Sequence, residues 1–122
     1  MEKIRERIDI MKVLVVEPLT VPYVKEIDGS LESMQKIVGG LIQAIYPFDD
    51  PEVALVCNDE GKISGLPFNR ALRDDAGEIY DVVAGTFFLC QAPADSESFE
   101  SLNDEQIKQY KEKYRNPEIY IR

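Results

Sequence analysis

The sequence predicts an α+β domain with a mainly antiparallel sheet of about five to seven strands and two helices packed on one face of that sheet. Short apolar runs rich in Val, Ile and Leu are separated by turn residues, which is typical of strands. Two other segments carry apolar residues at helical spacing. A length of 122 residues suits one domain, and 44% hydrophobic residues suffice for a core. The predicted order of elements is β-β-α-β-β-β-β-β-α.

The first three predicted elements are two strands and a helix. Residues 13–16 form a β-branched apolar run, which indicates a strand that is apolar on both faces. Pro18 and Pro22 bracket a turn, and residues 23–27 are the predicted return strand, with Pro22 confined to its start or to an edge. A short amphipathic helix is predicted over residues 31–38.

Five further strands are predicted between the two helices: residues 41–46, 53–57, 62–64, 80–84 and 86–91. Residues 58–61 form a turn, after which residues 62–64 are expected to complete a hairpin. Gly85 separates the last two strands and is a predicted bulge. Residues 65–78 show neither the helical nor the strand period, so they remain unassigned.

Both predicted helices have recognisable ends. Ser30 is a typical N-cap for the first helix, and Gly39-Gly40 supplies a left-handed stop. Asn103 is the predicted N-cap of the second helix, and Gln106 three residues later completes a capping box. Leu102 facing Ile107 adds a hydrophobic staple. This helix presents an apolar face and ends at Asn116-Pro117; the face consists of Ile107, Tyr110 and Tyr114.

The sequence restarts at Met11, where a new apolar strand begins. Residues 1–10 are therefore predicted to be an N-terminal extension, residues 11–115 the single α+β domain, and residues 116–122 a C-terminal tail.

Composition excludes several classes of function. The net charge of −9 disfavours direct binding to nucleic acid, where Lys and Arg supply most of the affinity. No apolar run is long enough for a membrane span, and the charged N-terminus lacks a signal-peptide core, so a cytoplasmic location in the host cell is expected. Cys57 and Cys90 lie in apolar runs and are predicted to be buried, reduced thiols.

The sequence offers little catalytic apparatus. Histidine is absent, so the commonest general base and metal ligand are missing. The acidic clusters at residues 49–52 and 74–81 fit solvated turns better than a calcium-loop pattern. Neither cysteine has an activating partner, and Gly39-Gly40 follows a helix, whereas a phosphate loop precedes one. A protein that is not an enzyme, without cofactor or metal, is therefore expected.

One basic segment stands out from the acidic background. Residues 62–73 contain three basic residues and no acidic one. Within them, Phe68, Asn69, Arg70 and Arg73 offer an aromatic face, an amide and two guanidinium groups, which suit a phosphate-bearing ligand with a base. These four residues are the candidate ligand-binding site. The alternative is that the two arginines pair with Asp74, Asp75 or Glu78 and hold a loop in place.

Six segments resemble one protein family: residues 11–18, 23–29, 38–40, 46–50, 65–73 and 81–88. The family is catalogued as domain of unknown function 3846, and the resemblance runs from residue 11 to about residue 114. Proteins of this family occur in bacteriophages, plasmids and other mobile elements. The resemblance implies a small accessory protein and assigns no catalytic residue.

The resemblance implies two functions of different kinds. In the first, the protein counters host defence by sequestering a small nucleotide-type signal at the basic segment. In the alternative, it is a protein–protein inhibitor whose acidic surface covers a basic site on a host defence nuclease or restriction enzyme. The expected partner is thus a small phosphate-bearing ligand or a host defence protein, and homo-oligomer formation is compatible with both.

Overall fold

The structure is a computed structural model that describes residues 10–119. This part of the chain forms seven strands and two helices: β1 (Met11–Val16), β2 (Tyr23–Ile27), α1 (Leu31–Val38), β3 (Ile42–Ile45), β4 (Val53–Asn58), β5 (Phe68–Arg73), β6 (Ile79–Ala84), β7 (Phe87–Gln91) and α2 (Asp104–Lys113). The α+β class is as the sequence predicts. The order of strands and helices also matches, but β5 takes the place of the strand predicted at residues 62–64. Most of the predicted extension and the end of the tail, residues 1–9 and 120–122, lie outside the described residues.

The strands form two antiparallel sheets. Five strands make the larger sheet in the order β2-β1-β7-β4-β3, and β5 pairs with β6 in a separate hairpin. The three central strands β1, β7 and β4 are almost wholly buried, whereas the edge strand β2 is largely exposed and the edge strand β3 is mostly half-buried. The predicted mainly antiparallel sheet is thereby confirmed.

The two faces of the larger sheet are covered by different elements. Successive side chains of a strand point to opposite faces. Val13 and Val15 of β1 accordingly join the core cluster of α1, with Met34 and Val38. Their neighbours on β1 join a second cluster with α2 and the β5–β6 hairpin: Leu14 and Val16 pack with Leu72, Val83, Tyr110 and Tyr114. The prediction that both helices pack on one face is therefore wrong.

The helix ends follow the sequence signals closely. Ser30 caps α1 by accepting a hydrogen bond from the Ser33 backbone N–H at 3.1 Å, and Gly39 ends it with φ of 80°. In α2, Asn103 accepts from the Gln106 N–H at 2.7 Å, and the Gln106 side chain accepts from the Asn103 N–H at 2.9 Å. The capping box satisfies two backbone donors that an uncapped helix would leave unpaired.

The basic segment folds differently from the prediction. Residues 62–64 lie in a turn rather than a strand, and Ile63 is 87% exposed. The turn approaches the hairpin closely, because a Cβ at Gly61 would lie 2.6 Å from the Ala84 carbonyl oxygen. The strand that the sequence did not reveal is β5, whose pairing with β6 shifts register twice.

Gly85 joins the two sheets and is not a bulge within one strand. It adopts φ of 89°, a conformation that favours glycine, and it lies between β6 of the hairpin and β7 of the larger sheet. Its N–H donates to the Pro67 carbonyl at 2.7 Å. Gly85 thereby anchors the hairpin beside the central strand.

Candidate functional site

The structure separates the four predicted site residues into buried and outer positions. All four lie on β5. Asn69 and Arg70 are both 0% exposed, Phe68 is half-buried, and Arg73 is exposed at the end of the strand. They therefore do not form one open surface.

Asn69 connects β5 to the larger sheet. Its side-chain nitrogen donates to the Val16 carbonyl and to the Gly85 carbonyl, each at 2.9 Å. Its side-chain oxygen accepts from Arg70 Nη1, also at 2.9 Å. Both ends of the amide are thus engaged inside the protein, and a base edge has no access to them.

Arg70 binds backbone carbonyls from two other parts of the chain. Its Nε and Nη2 donate to the Tyr114 carbonyl at 3.1 and 2.8 Å, and Nη2 also donates to the Thr20 carbonyl at 2.6 Å. Tyr114 is the C-cap of α2, where the helix dipole places partial negative charge that favours a cation. Arg70 therefore joins β5, the end of α2 and the loop after β1.

Arg73 is the one guanidinium of the predicted site at the surface. It lies within 3.4 Å of the Glu118 carboxylate, an acidic partner that the sequence reading did not include. Tyr80, Lys113 and Tyr114 lie around it in a small cavity of about 70 Å³. The expected anion site at Phe68, Asn69, Arg70 and Arg73 is therefore corrected for Asn69 and Arg70, because neither side chain can reach a ligand from outside.

A larger groove lies between α1 and the edge strand β2. It has a volume of about 310 Å³, within the usual range for small-molecule sites. Val15 and Ile27 form a buried apolar floor. Most of the polar lining comes from two elements, with Tyr23 and Lys25 on β2 and Ser33 and Lys36 on α1. Glu17 and Thr86 also line the groove.

Local periodicity explains this arrangement. Alternate residues of β2, namely Tyr23, Lys25 and Ile27, pair with the β1 residues that point toward α1. Ser33 and Lys36 are three residues apart, so they lie on one side of α1. Within residues 10–119, neither Lys25 nor Lys36 has a carboxylate at ion-pair distance. The groove therefore offers two ammonium groups above an apolar floor.

One acidic residue, Glu17, lines the groove, and its carboxylate already accepts a hydrogen bond. The Tyr23 hydroxyl donates to Glu17 Oε2 at 2.6 Å. This hydrogen bond, together with burial and the Glu17 charge, raises the pKa of Tyr23 to about 12. Tyr23 lines the groove and is 40% exposed, so its ring is available to a stacking ligand.

A second cavity of similar size has the opposite charge. It has a volume of about 330 Å³ between the β3–β4 edge and β6, and Asp59, Glu60 and Asp81 line it with a single lysine, Lys62. Lys62 forms an ion pair with Asp81. Within residues 10–119, no group of three or more His, Cys, Asp or Glu side chains is placed to hold a metal ion. An anionic ligand is thus favoured in the α1–β2 groove over this cavity.

Replacing Glu17 with glutamine should lower the pKa of Tyr23 from about 12 toward the ordinary value near 10. Because the folded pKa lies above the unfolded one, this hydrogen bond stabilises the protein below pH of about 10 and the contribution fades as pH rises toward 12. Titration of ¹³C-labelled tyrosine by NMR measures the shift. Glu26→Gln is the control, since Glu26 alternates with the groove-facing residues of β2. An unchanged Tyr23 titration in Glu17→Gln would refute the assignment.

Both cysteines are free and buried, as the sequence predicts. Burial raises the pKa of the Cys90 thiol to about 12, and burial with the nearby Asp59 and Asp81 charges raises that of Cys57. We expect both thiols to resist an aromatic disulfide reagent at pH of about 8 and to react on unfolding, since the thiolate is the reactive form. Rapid labelling of either thiol in the native protein would contradict this burial.

No helix within residues 10–119 is long and apolar enough to cross a membrane.

No curated protein and no solved structure matches the chain. The family described as "Domain of unknown function (DUF3846)" matches residues 11–115, a range that begins at the first residue of β1 and ends just after α2. The chain therefore belongs to the DUF3846 family.

Proposed function

We propose that the protein is a non-catalytic binding protein that captures a small phosphate-bearing ligand of nucleotide type in the α1–β2 groove. The observation that carries this proposal is the pair Lys25 and Lys36, which line a groove with an apolar floor and have no ion-pair partner among residues 10–119. The ligand class is the one that the basic segment suggested in the sequence. The proposed binding site is the α1–β2 groove and not β5, because Asn69 and Arg70 are buried.

The groove supplies the two kinds of contact that a nucleotide needs. Ammonium groups bind phosphate oxygens, and a charge-assisted hydrogen bond contributes roughly 1.5–3 kcal/mol. The accessible face of Tyr23 provides a stacking surface for a base, at about 1–3 kcal/mol for a stacked base. Lys25 and Lys36 outnumber Glu17, so the local charge of the groove is positive although the net charge of the chain is −9.

In this proposal the ligand is a signal that a host defence system uses, and the protein lowers its free concentration. The resemblance to proteins of phages and other mobile elements supports this setting. Sequestration requires tight binding and no chemical step, which agrees with a site built from lysines, a tyrosine and an apolar floor.

Calorimetry against a panel of cyclic nucleotides, ADP-ribose-type nucleotides and pyrophosphate tests the proposal. At least one member should bind the wild type, and Lys36→Ala should weaken that binding by about 10- to 100-fold. Lys108→Ala is the matched control, because Lys108 is an exposed lysine on α2, which packs on the opposite face of the sheet. Glu17→Gln should strengthen binding, since it removes the one carboxylate that lines the groove.

Two results would contradict the proposal. One is the absence of binding by every member of the panel; the other is binding that Lys36→Ala leaves unchanged. Co-purification with a host defence protein in the first case would favour the inhibitor hypothesis, in which exposed carboxylates of the turns contact a basic partner.

A further inference from the structure

The loop between β1 and β2 holds a strained, exposed leucine. Within residues 10–119, Leu19 is the only residue other than glycine with a positive φ, at 65°. Its side chain is 64% exposed. Glycine adopts this conformation without strain, so the leucine here retains a side chain at the cost of backbone strain.

Hydrogen bonds to Thr20 hold this loop in place. Arg70 Nη2 donates to the Thr20 carbonyl at 2.6 Å, and the Thr20 hydroxyl donates to the Glu17 carbonyl at 3.2 Å. The same Nη2 atom donates to the Tyr114 carbonyl at 2.8 Å. One buried guanidinium therefore holds the loop next to the C-terminal end of α2.

A cationic surface lies directly beside the loop. Val21, which is 53% exposed, lines a groove of about 260 Å³ together with Lys108, Lys111 and Glu112 of α2 and with Arg115, which follows the helix. Glu112 lies 3.4 Å from Arg115, and neither lysine has an ion-pair partner within residues 10–119. An excess of positive charge beside exposed apolar side chains is unusual in a chain with a net charge of −9.

We propose that Leu19, Val21 and the cationic side of α2 form a docking surface for an acidic peptide segment of a partner protein that also carries apolar side chains. Charge complementarity selects the partner: its carboxylates face Lys108, Lys111 and Arg115. Its apolar side chains pack on Val21, which lines the groove, and on Leu19, which is exposed in the same loop. A nucleic acid fits less well, because the net charge of −9 repels a phosphate backbone and the two exposed aliphatic side chains provide no stacking surface. This surface is separate from the α1–β2 groove and does not depend on the function proposed for it.

Fluorescence polarisation with three labelled synthetic peptides of equal length tests the proposal. One peptide alternates Glu with Leu, the second replaces each Glu with Lys, and the third replaces each Leu with Ser. The Glu–Leu peptide should bind the wild type, the Lys–Leu peptide should not, and the Glu–Ser peptide should bind at least 10-fold more weakly. Binding should weaken as salt increases, because the contacts are between exposed charges.

Variants of the docking surface then test whether the peptide binds there. Leu19→Ser and the double variant Lys108→Glu, Lys111→Glu should each weaken the Glu–Leu peptide by at least 10-fold. These side chains are exposed, so unchanged far-UV circular dichroism should show that the variants remain folded. Lys36→Ala is the control for a charge change elsewhere and should leave binding unchanged. Failure of the Glu–Leu peptide to bind, or equal binding to the double variant, would overturn the proposal.

Discussion

Replacing Arg70 with alanine is expected to lower the free energy of unfolding by about 3–5 kcal/mol. The change removes the donors that satisfy the carbonyls of Thr20 and Tyr114 and the side-chain oxygen of Asn69. The Asn69 oxygen and the Tyr114 carbonyl are buried acceptors that lose their donor, at about 1–3 kcal/mol each, and a cavity remains where a fully buried side chain stood. The effect is large because one side chain connects three parts of the fold.

Urea unfolding followed by circular dichroism measures this loss, and Arg73→Ala is the matched control. Arg73 is exposed and lies 3.4 Å from Glu118, so its removal should cost no more than about 1 kcal/mol. Arg70→Lys should fall between the wild type and Arg70→Ala, because an ammonium group cannot reproduce the planar fork of donors. A loss below about 1 kcal/mol for Arg70→Ala would show that the guanidinium is not buried in solution.

Replacing Phe87 with alanine is expected to destabilise the fold by a similar amount, about 3–5 kcal/mol. Phe87 begins the central strand β7 and is completely buried in the cluster under α2. Its ring packs edge-on against Tyr114, with the ring centroids 5.6 Å apart. The substitution leaves a cavity between the sheet and α2 that the surrounding strands cannot easily close.

Thermal and urea unfolding of Phe87→Ala should both show the loss, and Tyr46→Ala is the control for removing an aromatic ring. Tyr46 is 53% exposed, so its replacement should change the unfolding free energy by only about 0.5 kcal/mol. Equal stability of Phe87→Ala and the wild type would contradict the packing of α2 on this face of the sheet.

Elements with a local signal were predictable from the sequence. The return strand β2 and the helix α1 have the bounds that the sequence predicts, because prolines, Ser30 and Gly39 mark their ends. The capping box of α2 was equally visible. Strand β5 could not be predicted from the sequence. Its two register shifts and the buried polar side chains of Asn69 and Arg70 remove the alternation of apolar and polar residues.

Contacts that are distant in sequence could not be predicted in the same way. Two acceptors of Arg70 are the carbonyls of Thr20 and Tyr114, 50 and 44 residues away, so its local sequence cannot distinguish a buried arginine from a surface arginine. That Lys25 and Lys36 line one groove likewise depends on where α1 packs on the larger sheet. The sequence did indicate that both faces of the larger sheet are covered, because residues 13–16 are apolar on both faces of their strand.

The position of the ligand site is the central claim, and an NMR titration tests it most directly. Pyrophosphate and then the tightest nucleotide of the calorimetric panel would be added to ¹⁵N-labelled wild-type protein, and the backbone amide shifts would be followed residue by residue. We expect the largest changes at Tyr23, Lys25 and Lys36 around the α1–β2 groove. Changes confined to residues 68–73, or no change at any amide, would contradict the claim that the ligand binds in the α1–β2 groove.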